Sequence, residues 1–412
     1  MSQTGETARV ESRTTASATA TLAACSAAAG DSGGLRVKPD RIRVGIVGCG
    51  DVVHRHYLPA LESMADVVSV AAVADPRDGA AAAVAAAVAA WSPGTEVHRE
   101  VDAMLGGGRL DAVFNLTPAP RHGAVNEAIL GAGVACYSEK PLAASVAEAD
   151  RLIGLADRRG LLFLSAPGSA VTNRIRWLRE IARSRRYGAA TLAVAHHADP
   201  GPADWDEYTG DPTPFYREGV GPVFDHGVYR LHEMTTVLGP VRRVQAMGAI
   251  ALPTRRVRGG PLAGRMIEVT TQDHVLIHLE FESGALGQLL ASFATHDTLA
   301  PWLEIHFEGG VVSFGGKSWE PDAPVMLFDA SGDAVGDWRP AREMPHDEHG
   351  VVEAGARHFI ACLLGTESPV LTAEHGRHVL DVILEAYASI ADGRAHDVAT
   401  TFARDLSATG GP

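Results

Sequence analysis

Between residues 41 and 165 the chain repeats a two-part pattern: a short unbroken apolar run, then a longer segment with helical periodicity or composition. Runs at 41–47, 67–74, 112–116, 134–137 and 161–164 are too short for helices and predominantly apolar, as expected of strands buried on both faces. Segments 51–64, 80–90, 145–156 and one ending at 129 predict helices between them. The alanine-dense stretch 80–90 favours helix because alanine has no side-chain entropy to lose. Strands alternating with helices predict a parallel sheet covered on both sides.

The pattern changes after residue 165. A helix at 171–182 and a strand at 189–195 lead into a loop, 199–221, rich in Pro, Gly, Asp and aromatics. A helix at 226–238 follows. Strand-like runs then succeed one another without helices, at 241–250, 266–271, 274–281, 286–293, 303–307 and 311–314, and Gly284 offers a hairpin turn. Helices at 351–364 and 375–390 close the pattern. The fold class is therefore α/β, an N-terminal Rossmann domain followed by an α+β domain on an open, mostly antiparallel sheet. The division expected is a disordered tail at 1–40, a dinucleotide-binding domain at 41–165 and a substrate-binding and oligomerisation domain at 166–392. The last helices return to brace the first domain, and 393–412 form a C-terminal extension.

Composition narrows the partners. With 36 basic and 50 acidic residues the formal charge is −14, which argues against a nucleic-acid-backbone binder. No apolar run approaches the length of a membrane span. Cys25, Cys49, Cys136 and Cys362 are too widely spaced for a zinc or disulfide pattern, so a reducing, cytoplasmic setting is expected. The tail, rich in Ala, Ser, Thr and Gly, has little to bury. Leu22-Ala23-Ala24-Cys25 looks like a lipoprotein cleavage site, but 14–21 is too polar for the apolar region of a signal.

Candidate chemistry sits where strands end. Gly48 and Gly50 supply the first two glycines of a dinucleotide fingerprint, one for the tight turn and one for close approach of a pyrophosphate; Asp51 and Val52 open the following helix. Val53 stands where a small residue is expected. Asp75 follows the second strand, where a carboxylate accepts hydrogen bonds from an adenosine ribose or, more plainly, caps a helix. Its charge favours NAD, whereas Arg77 leaves NADP possible by pairing with a 2′-phosphate.

With these residues placed, the sequence from about 41 to 392 resembles the Gfo/Idh/MocA oxidoreductases, the family of glucose–fructose oxidoreductase and inositol dehydrogenase. The resemblance is carried by 45–56, with His56; by Thr117-Pro118 with His122; by Glu139-Lys140-Pro141-Leu142; and by 221–229, with Asp225 and Tyr229. Weaker support comes from 264–269, 279–284 and Glu374-His375-Gly376. The resemblance implies hydride transfer between NAD, or NADP, and a sugar, cyclitol or related polyol, in a homodimer or homotetramer. Alternatives are NAD-dependent elimination or glycoside cleavage without net redox change, and a non-catalytic dinucleotide sensor. It also implies that Gly48, Gly50, Asp51, Val52, Asp75, Arg77, Thr117, Pro118, His122, Glu139 and Lys140 surround the cofactor, and that Lys140 is the catalytic or substrate-orienting group.

On a helix Asp225 and Tyr229 share a face, and His232 follows on roughly the same face as a third polar group, whereas His226 points elsewhere. Whether Lys140 or Tyr229 moves the proton stays open, and a lysine base would need a lowered pKa. A metal reading of Asp225, His226 and His232 is not forced by any ligand spacing, so no metal is expected. Trp205, Phe215 and Tyr216 either wall a sugar pocket or pin their loop to the core.

Overall fold

A computed structural model describes residues 41–403 except 206–207, 209, 318–319, 321–322 and 331–335. The tail expected at 1–40 and residues 404–412 of the extension expected at 393–412 lie outside the described residues.

The first domain is built by strands β1 (Ile42–Val47), β2 (Val68–Ala74), β3 (Glu96–His98), β4 (Ala112–Asn115), β5 (Ala135–Ser138) and β6 (Phe163–Ser165). Helices α1 (Leu58–Glu62), α2 (Ala80–Val88), α3 (Val101–Leu105), α4 (His122–Gly131) and α5 (Val146–Arg159) connect them. The strands pair in the order β3-β2-β1-β4-β5-β6, all parallel. This is a Rossmann fold, and every residue of β4 and β5 is buried, as unbroken apolar runs require. Strand order reverses beside β1, so ligands are expected at the carboxyl ends of β1 and β4.

Two elements escape the sequence pattern here. β3 is a three-residue edge strand with exposed side chains, and α3 is barely more than a turn, so neither carries a periodic signal. The helix expected at 51–64 is divided: Val53–Tyr57 are wound as a π turn and α1 follows. Val53 is fully buried at the start of that turn, where a smaller residue was expected.

The second domain contains α6 (Asn173–Ser184), β7 (Ala190–Ala198), α7 (Val228–Leu238), β8 (Val241–Ala249), β9 (Thr254–Arg256), β10 (Met266–Glu268), β11 (His274–Phe281), β12 (Leu286–Ser292), β13 (Leu303–Phe307), β14 (Gly310–Phe314), β15 (Val325–Asp329) and β16 (Asp337–Pro340). Helices α8 (Val351–Leu363) and α9 (Ala373–Asp392) and the short β17 (His396–Asp397) complete it. The large sheet runs β16-β15-β14-β13-β7-β12-β11-β8-β17 and is antiparallel except between β7 and β12. β10 is a correction. The run at 266–271 leaves the large sheet and pairs with β9 in a separate ribbon. β15 and β16 add a hairpin at the edge, where every residue of β16 is exposed and Pro340 is tolerated.

α8 packs on the Rossmann sheet. Phe359 meets Phe114 and Tyr137 at ring-centroid distances of 5.3 and 5.6 Å, inside the cluster that holds Val44 and Ile46. Gly168 lets the chains cross there, because a Cβ on it would lie 2.1 Å from the Val351 carbonyl oxygen. Among the described residues Cys49, Cys136 and Cys362 are free thiols, and no helix is long and apolar enough to cross a membrane.

Candidate active site

The carboxyl ends of β1, β2, β4 and β5 open on a cleft of about 850 Å³, and every residue expected to surround the cofactor lines it. Gly48 turns the chain out of β1 with φ +89°; a Cβ there would lie 2.6 Å from the Leu116 carbonyl oxygen, so only glycine fits. A Cβ on Gly50 would meet nothing within 4 Å, which leaves the approach open. The space and backbone shape fit a dinucleotide pyrophosphate.

Asp75 is buried behind this turn. Its Oδ2 accepts from the Cys49 amide at 2.8 Å and its Oδ1 from the Arg77 amide at 2.9 Å. The Arg77 guanidinium donates to both oxygens, at 2.9 and 2.7 Å. Burial alone would raise the Asp75 carboxyl, but these bonds hold it below the usual range. Asp75 therefore braces the glycine turn and holds Arg77 at the cleft edge, where the arginine side chain is 63% exposed.

The other two strand ends are tied together by His122. Its Nδ1 lies 2.6 Å from the Pro141 carbonyl oxygen and its Nε2 2.7 Å from that of Thr117. Buried as it is, this ring acts on the cleft through the backbone it joins. Thr117 is steadied by its hydroxyl bond to Asn115 Oδ1, 2.7 Å. Glu139 accepts from the Tyr57 hydroxyl at 2.7 Å and from the Lys140 amide at 3.0 Å, fixing the turn that presents Lys140.

Lys140 Nζ donates to the Asp225 carbonyl oxygen at 2.6 Å and to its Oδ1 at 3.1 Å, and lies 5.2 Å from the centre of the Tyr229 ring. Burial alone would lower the lysine pKa, but Asp225, Tyr229 and Glu139 outweigh it and the group is held protonated. A lowered lysine pKa was the requirement for a base; the shift runs the other way. Tyr229 is pushed up to about 12, by burial first, and keeps its proton at neutral pH.

Asp225 sits in a second π turn, Val223–Gly227, that precedes α7. The α-helical register assumed from the sequence therefore does not hold here, and His226 lines the cleft. Its ring lies 3.8 Å from that of His197 and stacks on Trp205 at 5.3 Å. His232 is the reverse case. It is buried against His375 on α9, with ring centroids 4.6 Å apart, and lines no part of the cleft, so its expected catalytic place is corrected. The aromatic loop divides its roles. Trp205, Tyr208 and Phe215 line the cleft, while Tyr216 is buried and its hydroxyl accepts from the Ala203 amide at 3.0 Å.

A second chamber of about 440 Å³ adjoins the cleft, with Tyr229 and His226 lining both. Its polar wall includes two ion pairs, Arg230 with Glu233 at 2.8 Å and Arg174 with Asp347, and Arg230 lies over Trp302 at 4.4 Å. Sequence reading misses this wall, because its members come from α6, α7, the residue before β13 and the approach to α8.

Residues 42–166 match the oxidoreductase family with an NAD-binding Rossmann fold, and residues 175–313 match the GFO/IDH/MocA C-terminal domain. A dTDP-3,4-didehydro-2,6-dideoxy-alpha-D-glucose 3-reductase of Streptomyces antibioticus is 30% identical over 280 residues, 65% of this chain and 80% of the relative. The protein of the same name from Streptomyces violaceoruber is 31% identical over 228 residues, 54% of this chain and 61% of that relative's length. An oxidoreductase domain protein from Kribbella flavida shares the fold, with a TM-score of 0.73 and 18% identity over 87% of this chain and 99% of its own. Two family models in the right order, on a Rossmann domain whose strand ends carry Gly48, Thr117 and Lys140, show that the chain belongs to the Gfo/Idh/MocA oxidoreductase family.

Proposed function

We propose that this protein is a nicotinamide-dependent reductase of a keto sugar, nucleotide-linked as in the Streptomyces relatives, and runs the reverse dehydrogenation when substrates demand it. The observation that carries this reading is the Lys140 ammonium, held charged by Asp225 at the edge of the dinucleotide cleft and beside Tyr229. A nicotinamide bound in this cleft supplies the two-electron chemistry. A carbonyl being reduced needs a proton donor at its oxygen, and a charged lysine within a desolvated site is one. Lys140 donates that proton, Asp225 holds the donor in place, and the Tyr229 hydroxyl offers a second hydrogen bond to the same oxygen. In the reverse direction Lys140 takes the proton only after losing its own, which Asp225 opposes.

The sugar is assigned to the chamber beyond Tyr229, whose alternating cations and carboxylates suit many hydroxyl groups rather than one charge. NAD is favoured by Asp75. Arg77, paired yet exposed, supports use of NADP as well. Self-association as a homodimer or homotetramer belongs to the same reading.

Fluorescence titration with NADH and separately NADPH, followed by a screen of dTDP-linked keto sugars, tests it. Binding of either cofactor and its oxidation by a keto sugar is the expected result. Failure to bind both, in protein freed of carried cofactor, would overturn it.

A further inference from the structure

Beside Lys140 three side chains converge that hydride chemistry on a sugar does not require. His197 lies near the end of β7 and Asp199 just past it, and His226 comes from the π turn before α7. Asp199 Oδ2 lies 3.2 Å from His197 Nε2 and 3.6 Å from His226 Nδ1, and the three donor atoms lie within 4.8 Å of one another. Donors about 2.1 Å from one tetrahedral ion stand about 3.4 Å apart, which the two separations to Asp199 Oδ2 match.

Each side of the cluster is built. Asp199 Oδ1 is fixed by the Gly201 amide at 2.7 Å, leaving Oδ2 to face the two rings. His226 Nδ1 is buried without a hydrogen-bond partner, a cost that a metal ion would remove. Its other nitrogen, Nε2, lies 3.4 Å from Asp225 Oδ2, a buried carboxylate oxygen that itself has no hydrogen-bond partner.

We propose that His197, Asp199 and His226 form a binding site for one divalent first-row transition ion of the zinc class. Two imidazoles and one carboxylate are a ligand set for such ions, and three protein ligands leave a coordination position for a substrate oxygen. That position opens on the chamber, since His197 and His226 both line it. Asp225 thereby joins the two halves of the site, one oxygen toward Lys140 and the other toward His226. A role in holding a sugar hydroxyl or carbonyl rests on the reductase reading; binding of the ion does not.

The test is calorimetric titration of chelator-treated, tag-free protein with zinc chloride, repeated with cobalt(II) while its visible absorption is followed. The expected result is a single saturable site, an intense low-coordinate cobalt spectrum, and quenching of tryptophan emission from Trp205, which stacks on His226. Asp199→Asn and His226→Asn should each weaken zinc by about 100-fold or more, whereas His306→Asn, on β13, leaves it unchanged. Absence of saturable binding to the wild-type chain, or zinc affinity that survives both ligand substitutions in folded variants, would overturn the site. Neither result depends on turnover, so failure here leaves the reductase reading standing, and failure of the sugar screen leaves the metal site standing.

Discussion

Replacing Gly48 with alanine puts a methyl group where the chain has no room for one. The new Cβ would lie 2.6 and 2.7 Å from the carbonyl oxygen and carbon of Leu116 and 2.8 Å from the Thr117 nitrogen, all backbone atoms that cannot swing aside. The residue also sits at φ +89°, where a side chain costs about 1–2 kcal/mol. Overpacking against backbone adds about 1–3 kcal/mol. The total, about 2–5 kcal/mol, corresponds to a loss of roughly 30- to 4,000-fold in affinity if it falls wholly on the dinucleotide-competent turn. Gly50→Ala is the matched comparison, because its Cβ meets nothing within 4 Å. Melting without cofactor and NADH titration by fluorescence separate the two effects. Gly48→Ala should lower both melting temperature and affinity; Gly50→Ala should lower affinity alone. A Gly48→Ala protein that melts like wild type and binds NADH within about twofold of it would refute the reasoning.

Lys140→Ala should reduce kcat by about 10²–10⁴-fold while leaving NADH affinity nearly unchanged, and steady-state kinetics with a reactive keto sugar would check it. The same change leaves Asp225 buried without its lysine and should cost about 3–5 kcal/mol in denaturant unfolding. Phe359→Ala removes a fully buried ring from between Phe114 and Tyr137 and should cost about 3–5 kcal/mol, loosening α8 from the Rossmann sheet. Glu233 is raised from its ordinary 4.5 to about 7, by burial first, against the opposing pull of Arg230 and Arg174. The folded protein then keeps a proton that the unfolded chain releases, so this stabilisation is full below pH 4.5 and is lost as pH rises through about 7. Glu233→Gln should flatten that part of the melting-temperature profile.

The Rossmann half was legible because its chemistry is punctuated by strand ends. Gly48, Asp75, Thr117 and Lys140 each follow an apolar run closely, and parallel topology sends all such ends to one side. Their partners were harder to read. Asp75 was expected to face a ribose, yet much of its hydrogen-bonding capacity goes to Cys49 and Arg77, a tertiary fact that no spacing encodes. The π turns at Val53–Tyr57 and Val223–Gly227 have no periodic signature, and the second of them accounts for the misplaced His226. His232 was assigned by counting three residues on from Tyr229, but its place is in the packing of α7 against α9. The His197, Asp199 and His226 cluster joins a strand end to a helix start, so only the fold brings it together.

Incubation of wild type and Lys140→Ala with reduced nicotinamide and a dTDP-linked keto sugar tests nicotinamide-linked sugar reduction directly, with cofactor absorbance and product mass followed together. The expected result is loss of reduced cofactor in step with a product two hydrogens heavier, in the wild type only. Product formed with no net change in the cofactor would contradict a reductase and favour transient use of NAD in elimination, and cofactor binding without any product would favour a sensor.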